Sequence, residues 1–186
     1  RRQRQMCIRD SLETDEGNAE RGITREEQDE IAARSHQLAE AATNEGVFAE
    51  EIVPIEVKGR KETVTVTADE GIRPGTTAEG LAKLRPAFVK DGTITAASAS
   101  QISDGAAAVV LTTRENAETK GLEILATLGE YGQTAGPDTK LHSQPSQATA
   151  AALQKAGWEA GDLDFLEINE AFASVVAQSI KDLDYP

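Results

Sequence analysis

The residue pair Asn169-Glu170 stands where a short apolar run, Phe165-Leu166-Glu167-Ile168, gives way to an alanine-rich one in which Phe172, Val175, Val176 and Ile180 recur at helical spacing. Two roles are open to Asn169. It is a preferred helix N-cap, with Glu170 in the first turn suiting the helix dipole. It also stands at the carboxyl end of a strand, where open α/β sheets build their sites, and could be catalytic there. Few other groups could do covalent or proton chemistry. His36, among Arg34, Ser35 and Gln37, reads as a solvated residue on a helix. His142 lies in a long loop, as a plain loop residue or a general base. Cys7 is the only thiol. Two stretches could instead bind. Arg73 lies in an acidic loop, where its guanidinium could stack on an adenine ring and serve a phosphate, or pair with Asp69 and Glu70. Ala96-Ala97-Ser98-Ala99-Ser100-Gln101 could be closely packed backbone, or a shallow wall whose hydroxyls bond a slim ligand arm.

The elements that must position these groups follow from local signals. Thr24-Arg25-Glu26-Glu27 is a capping box, so a helix should run with Ile31, Leu38, Ala41 and Ala42 inward until Gly46 ends it. Val53, Ile55 and Val57 alternate, Gly59 turns the chain, and Val64 and Val66 alternate with threonines, which predicts a β-hairpin. Thr76-Thr77-Ala78-Glu79 is a second capping box, opening a short helix that Pro86 must end. Phe88 reads as core. Asp91-Gly92 turns the chain into Thr93-Ile94-Thr95. Ala106 to Leu111 is continuously apolar, as in a strand buried on both faces. A helix over Glu115 to Lys120, a strand at Ile124 to Leu128, a loop over 129–145, a helix over Ser146 to Ala156 closed by Gly157, and a strand over Leu163 to Ile168 complete the order.

Composition bounds the function. In 186 residues, Lys+Arg 19 against Asp+Glu 32 leave a net charge of −13, which argues against a general nucleic-acid or anionic-membrane surface. A phosphate-rich ligand would need locally placed basic groups. No apolar run has the length of a membrane span and the start has no signal core, so a cytoplasmic protein is expected. One cysteine excludes an internal disulfide framework and a cysteine-rich metal site.

Four segments in order carry a resemblance: Arg73-Pro74-Gly75-Thr76-Thr77-Ala78-Glu79, Leu84-Arg85-Pro86-Ala87-Phe88, Ser103-Asp104-Gly105-Ala106-Ala107-Ala108-Val109-Val110 and Asn169-Glu170-Ala171-Phe172-Ala173. From about Gly22 onward the chain is similar to the middle of thiolases, acyltransferases that join or split acyl-CoA molecules. The resemblance implies an incomplete, thiolase-like α/β fold: residues 12–102 from the loop subdomain, 103–121 ending the N-terminal half, and 122–186 opening the C-terminal half. It also implies roles. Arg73 lies against coenzyme A, an aromatic matching Phe88 lines the pantetheine channel, Ser100 hydrogen-bonds the pantetheine arm, and Ala96, Ala171 and Phe172 complete the binding wall. Asn169 would hold a water in the oxyanion hole. Ser98 departs from the asparagine expected there. The implied reaction is Claisen condensation or thiolysis of 3-ketoacyl-CoA through an acylated cysteine, with a histidine and a second cysteine moving protons.

The thiolase Gly-His-Pro motif is absent and Cys7 lies in no thiolase-like context, so a fragment, inactive alone, is expected. Coenzyme A thioester is substrate, and neither metal, other cofactor, nucleic acid nor membrane is implied. The complete enzyme would be a dimer or tetramer serving fatty-acid metabolism. The alternatives are a non-catalytic superfamily member that binds acyl-CoA or lipid, and an α/β interaction domain whose motif matches are accidental. Residues 1–11 stand apart: Arg1 to Asp10 resemble the translation of a transposase adapter used in sequencing libraries, and the adapter's last bases permit Ser11. They are set aside as a sequencing scar, the alternative being a basic arm with a reactive thiol.

Overall fold

The structure, a computed structural model, describes the backbone of residues 2–185 and the side chains of residues 9–185. Its first element, α1 (Arg2–Arg21), has no apolar stripe to announce it. Among its described residues it buries Ser11, Thr14, Asp15, Gly17 and Asn18, of which the four with side chains are spaced as a helix face is spaced but polar. Such a face is stable only when each group finds a hydrogen bond. Asn18 and Asp15 find theirs far along the chain, at Thr93 and Ile94. Ser11, the last residue of the segment set aside as a sequencing scar, is itself buried. The side chain of Cys7 lies outside the described residues.

Helix α2 (Arg25–Asn44) begins where expected, with the Thr24 hydroxyl accepting the Glu27 amide at 3.1 Å, and ends before Gly46 at φ 77°. Its buried face differs from the one expected. Gln28, Asp29, Ala32 and Ala33 face inward, while Leu38 is 58% exposed and Ala41 is exposed. Hydrogen bonding explains the rotation. Arg25 pairs with Asp29 at 2.8 Å and donates to the Leu81 and Leu84 carbonyls, tying α2 to the end of α3 (Ala78–Leu81). Burial raises the Asp29 carboxyl above its ordinary range, against the pull of Arg25.

The hairpin forms as β1 (Ile55–Lys58) and β2 (Thr63–Val66), antiparallel with Ile55 opposite Val66 and Val57 opposite Val64. The cap of α3 is Thr77, which accepts the Gly80 amide, one residue later than the box predicted; Thr76 donates instead to the Arg73 carbonyl. Helices α4 (Arg114–Thr119) and α5 (Gln144–Ala156) match their expected positions, the latter closed by Gly157 at φ 70°.

The three further strands do not form among the described residues. Residues 106–111, 124–128 and 163–168 carry no ladder, and Val110 and Phe165 are 92% and 82% exposed. A strand is made by its neighbours, because each backbone group needs a partner across the ladder, and these runs have none here. The expected α/β layering is therefore present as helices, one hairpin and unpaired apolar runs.

The last helix, α6 (Ala173–Leu183), packs on α2 and α5. Its N-terminus meets residues 98–100 in a short seam: Ser100 N–H donates to the Ala171 carbonyl at 3.0 Å, and Ala173 N–H to the Ser98 carbonyl at 2.9 Å. Ile94, Phe172 and Val175 form the apolar core beneath it, with Ala99, Leu141 and Ala171 against them. No helix among the described residues is long and apolar enough to cross a membrane.

Candidate functional site

The seam between 98–100 and 171–173 forms the edge of a cleft of about 1280 Å³. Its walls are the Arg73–Thr76 turn, Phe88, the 96–101 segment, residues 166–170 and one face of α2. Five of the seven sequence-predicted site residues line it: Arg73, Phe88, Ala96, Ser100 and Asn169. Ala171 lines a second, smaller cleft, which Asn169 also touches. Phe172 is buried in the apolar core with Ile94 and Val175 and lines neither cleft. Phe88, expected as core, is 36% exposed and faces the cleft.

Two readings of Asn169 were open, and the geometry removes one. The N-cap position of α6 is Phe172, which makes no side-chain cap. Asn169 lies three residues earlier, and its carbonyl accepts the Ala171 amide at 2.8 Å. It is exposed in the cleft, where its amide can donate and accept at once.

Arg73 does not form the ion pair that Asp69 and Glu70 made plausible. Its Nη1 donates to the Glu70 carbonyl at 3.3 Å, the Asp69 carboxylate accepts the Gly71 amide, and none of the ion pairs among the described residues includes Arg73. His36, expected in water, is half-buried, lines the cleft, and accepts the Arg73 N–H at Nδ1 over 3.3 Å. Its place opposite the turn depends on a contact 37 residues away, which no local pattern signals. Ser100 and Ala96 lie exposed on the wall, while Ser98 is buried, its hydroxyl accepting the Thr95 amide at 2.9 Å. Ser98 thus shapes the turn behind the wall.

A buried polar cluster fixes where that wall begins. Asp15 Oδ1 accepts the Thr93 amide at 2.7 Å, the Thr93 hydroxyl at 3.0 Å and the Ile94 amide at 3.3 Å. Asn18 Nδ2 and Gln28 Nε2 each donate to Thr93 Oγ1 at 3.0 Å. With its amide nitrogen so used, Asn18 must present Oδ1 to His142 Nε2 at 2.8 Å, so that nitrogen carries the proton and Nδ1 is bare. His142 is therefore a fully buried neutral imidazole, and neither a loop residue in water nor a base at the cleft. Burial, aided by Arg21 and Lys140 and opposed by Glu20 and the Thr14 backbone, pushes it down to about 4. Gly92 is required beside Asp15, because a Cβ there would overlap its carboxylate.

Comparison with known proteins places this arrangement. Residues 9–115 match the family described as Thiolase, N-terminal domain, and residues 122–186 match Thiolase, C-terminal domain. The first match starts inside the segment set aside as a scar and well before Gly22. The chain is 53% identical over 171 residues to a probable acetyl-CoA acetyltransferase of Mycolicibacterium smegmatis, covering 91% of this chain and 44% of that protein. It is 50% identical over 179 residues to the human peroxisomal 3-ketoacyl-CoA thiolase, covering 93% and 42%. Among solved structures, the Bacillus anthracis acetyl-CoA acetyltransferase aligns with a TM-score of 0.89 at 42% identity, over 95% of this chain and 45% of that one. The dimeric peroxisomal thiolase of Saccharomyces cerevisiae aligns with a TM-score of 0.87 at 38% identity, over 95% and 44%. The chain spans less than half the length of these relatives, follows part of a thiolase-like fold through both matched domains, and belongs to the thiolase family.

Proposed function

We propose that the chain supplies the coenzyme A cleft and part of the oxyanion hole of a thiolase acting as an acetyl-CoA C-acetyltransferase or 3-ketoacyl-CoA thiolase. The observation that carries this is the single cleft lined by Arg73, Phe88, Ala96, Ser100 and Asn169, drawn from segments up to 96 residues apart in sequence (169 − 73). Arg73 offers a planar cation free of any carboxylate partner, suited to an adenine ring and a phosphate. Ser100 offers a hydroxyl to the amides of the pantetheine arm, along a wall of alanines that leaves the arm room. Asn169, on the same cleft, holds a water towards the thioester oxygen as negative charge develops there.

The nucleophilic cysteine, the histidine and the second cysteine of the family reaction are not supplied by this chain. The unpaired apolar runs at 106–111, 124–128 and 163–168 fit strands whose sheet neighbours belong to the rest of the enzyme, which is expected to be a cytoplasmic dimer or tetramer.

The reading is tested by steady-state thiolysis of acetoacetyl-CoA in the full-length enzyme carrying this segment. Arg73→Ala and Ser100→Ala should each raise KM for coenzyme A by about three- to thirtyfold while kcat stays within about twofold, as for groups that bind ground and transition states alike. A fall in kcat with KM unchanged would contradict the assignment.

A further inference from the structure

Both edges of the cleft are held by side chains from one stretch of α2. On one side, the Arg73–Thr76 turn has no regular structure, and Gly75 sits at φ 70°. Its backbone is met by α2 side chains: His36 Nδ1 accepts the Arg73 N–H at 3.3 Å, Glu40 Oε2 accepts the Gly75 N–H at 2.9 Å, and Gln37 Nε2 donates to the Thr76 carbonyl at 2.9 Å. On the other side, Ser35 Oγ donates to Glu170 Oε2 at 2.7 Å, beside Asn169 in a segment that also lacks regular structure. Adjacent residues of a rigid helix thus hold the two irregular segments that carry Arg73 and Asn169.

We propose that this stretch of α2 is a positioning rail with two separable outputs: Glu40 and His36 set the Arg73 turn for coenzyme A, and Ser35 sets Glu170 and, with it, Asn169. The inference rests on the coenzyme A reading of the cleft. A turn with several backbone groups fixed by side chains of another element loses its conformation when those acceptors go, because its own residues supply few replacements. A carboxylate fixed by a hydroxyl likewise regains its rotamers when the hydroxyl is removed. The effects should then differ in kind. Loosening the turn weakens binding of the ligand's distal part, which is uniform binding. Loosening Glu170 disturbs a group that matters as charge develops.

The first measurement is hydrogen exchange on the full-length enzyme carrying this segment. Glu40→Ala should speed exchange of the Gly75 amide by about three- to tenfold, and Glu40→Gln, whose amide oxygen still accepts, should leave it near the original rate. The second is thiolysis kinetics in the full-length enzyme. Glu40→Ala and His36→Leu should raise KM for coenzyme A about three- to tenfold with kcat within about twofold, and Glu40→Gln and His36→Asn should recover most of the loss. Ser35→Ala should lower kcat by a similar factor with KM little changed, and Ser35→Thr should restore it. Equal effects of both sets on KM and kcat, or no effect of either, would overturn the rail. If Arg73→Ala raises KM while these variants do nothing, the rail alone is wrong; if Arg73→Ala leaves KM unchanged, the coenzyme A reading falls first.

Discussion

Lowering pH from 7 to 5 should destabilise the chain through His142. The imidazole is neutral and fully buried, donating from Nε2 to Asn18, and its folded-state pKa lies at about 4 against 6.5 for an ordinary histidine. The unfolded chain therefore takes up a proton that the folded chain refuses. The stability this group contributes is complete above 6.5 and is lost as pH falls towards 4. At 1.36 kcal/mol per pH unit of proton-linked difference, the loss between pH 7 and pH 5 is at most about 2 kcal/mol. Asp29, with its carboxyl raised by burial, works in the opposite direction, since its protonation at low pH favours the folded state. Urea unfolding at the two pH values, followed by circular dichroism, measures the difference. His142→Gln removes the titrating group while keeping a side chain that can donate to Asn18. Its stability should be lower at pH 7, but the loss from pH 7 to pH 5 should shrink to below about 0.5 kcal/mol. An equal pH dependence in the parent and the variant would refute the reasoning.

The glycine beside Asp15 provides a second check: Gly92→Ala should lower stability by about 1–3 kcal/mol, because the added methyl meets a buried carboxylate that cannot move without releasing Thr93 and Ile94. Gly105→Ala, where a Cβ meets nothing within 4 Å, should change stability by less than about 0.5 kcal/mol in the same urea titration; similar losses at both sites would reject the packing argument. The 186-residue chain should show no thiolysis of acetoacetyl-CoA above background, and Cys7→Ser should make no difference, whereas activity abolished by that change would identify Cys7 as a nucleophile.

What the sequence made legible was decided locally. Thr24 capping α2, Gly46 and Gly157 ending helices, and the alternation of Ile55 and Val57 against Val64 and Val66 depend on residues within a few positions of one another. The site motifs were legible through family resemblance, and the cleft brings most of those residues together. The polar side of the interior was not legible. Ser11, Thr14, Asp15 and Asn18 on α1, with Gln28 and Asp29 on α2, look like a solvated face to any hydrophobic pattern. Asp15, Asn18 and Gln28 are buried because Thr93, Ile94 and His142, 65 or more residues away, bond them, while Thr14 and Asp29 find partners one helical turn away, at the Asp10 carbonyl and Arg25. His36 was misjudged for the same reason, its partner being the backbone of a distant turn. Residues 106–111 and 163–168 have the composition of buried strands, yet a strand also needs neighbours, which composition does not provide.

Asn169 gives the most direct test of the central claim, because the alternative role of helix cap has a different position, Phe172, and so does not compete. An aspartate there keeps the size and the acceptors but brings negative charge towards a developing anion and removes the donor. In the full-length enzyme carrying this segment, Asn169→Asp should leave thermal unfolding within about 0.5 kcal/mol of the parent and lower kcat for acetoacetyl-CoA thiolysis by roughly ten- to a thousandfold, the range for losing one oxyanion contact, here through a water. Near-normal turnover in a stably folded Asn169→Asp enzyme would contradict the placement of the oxyanion hole in this cleft.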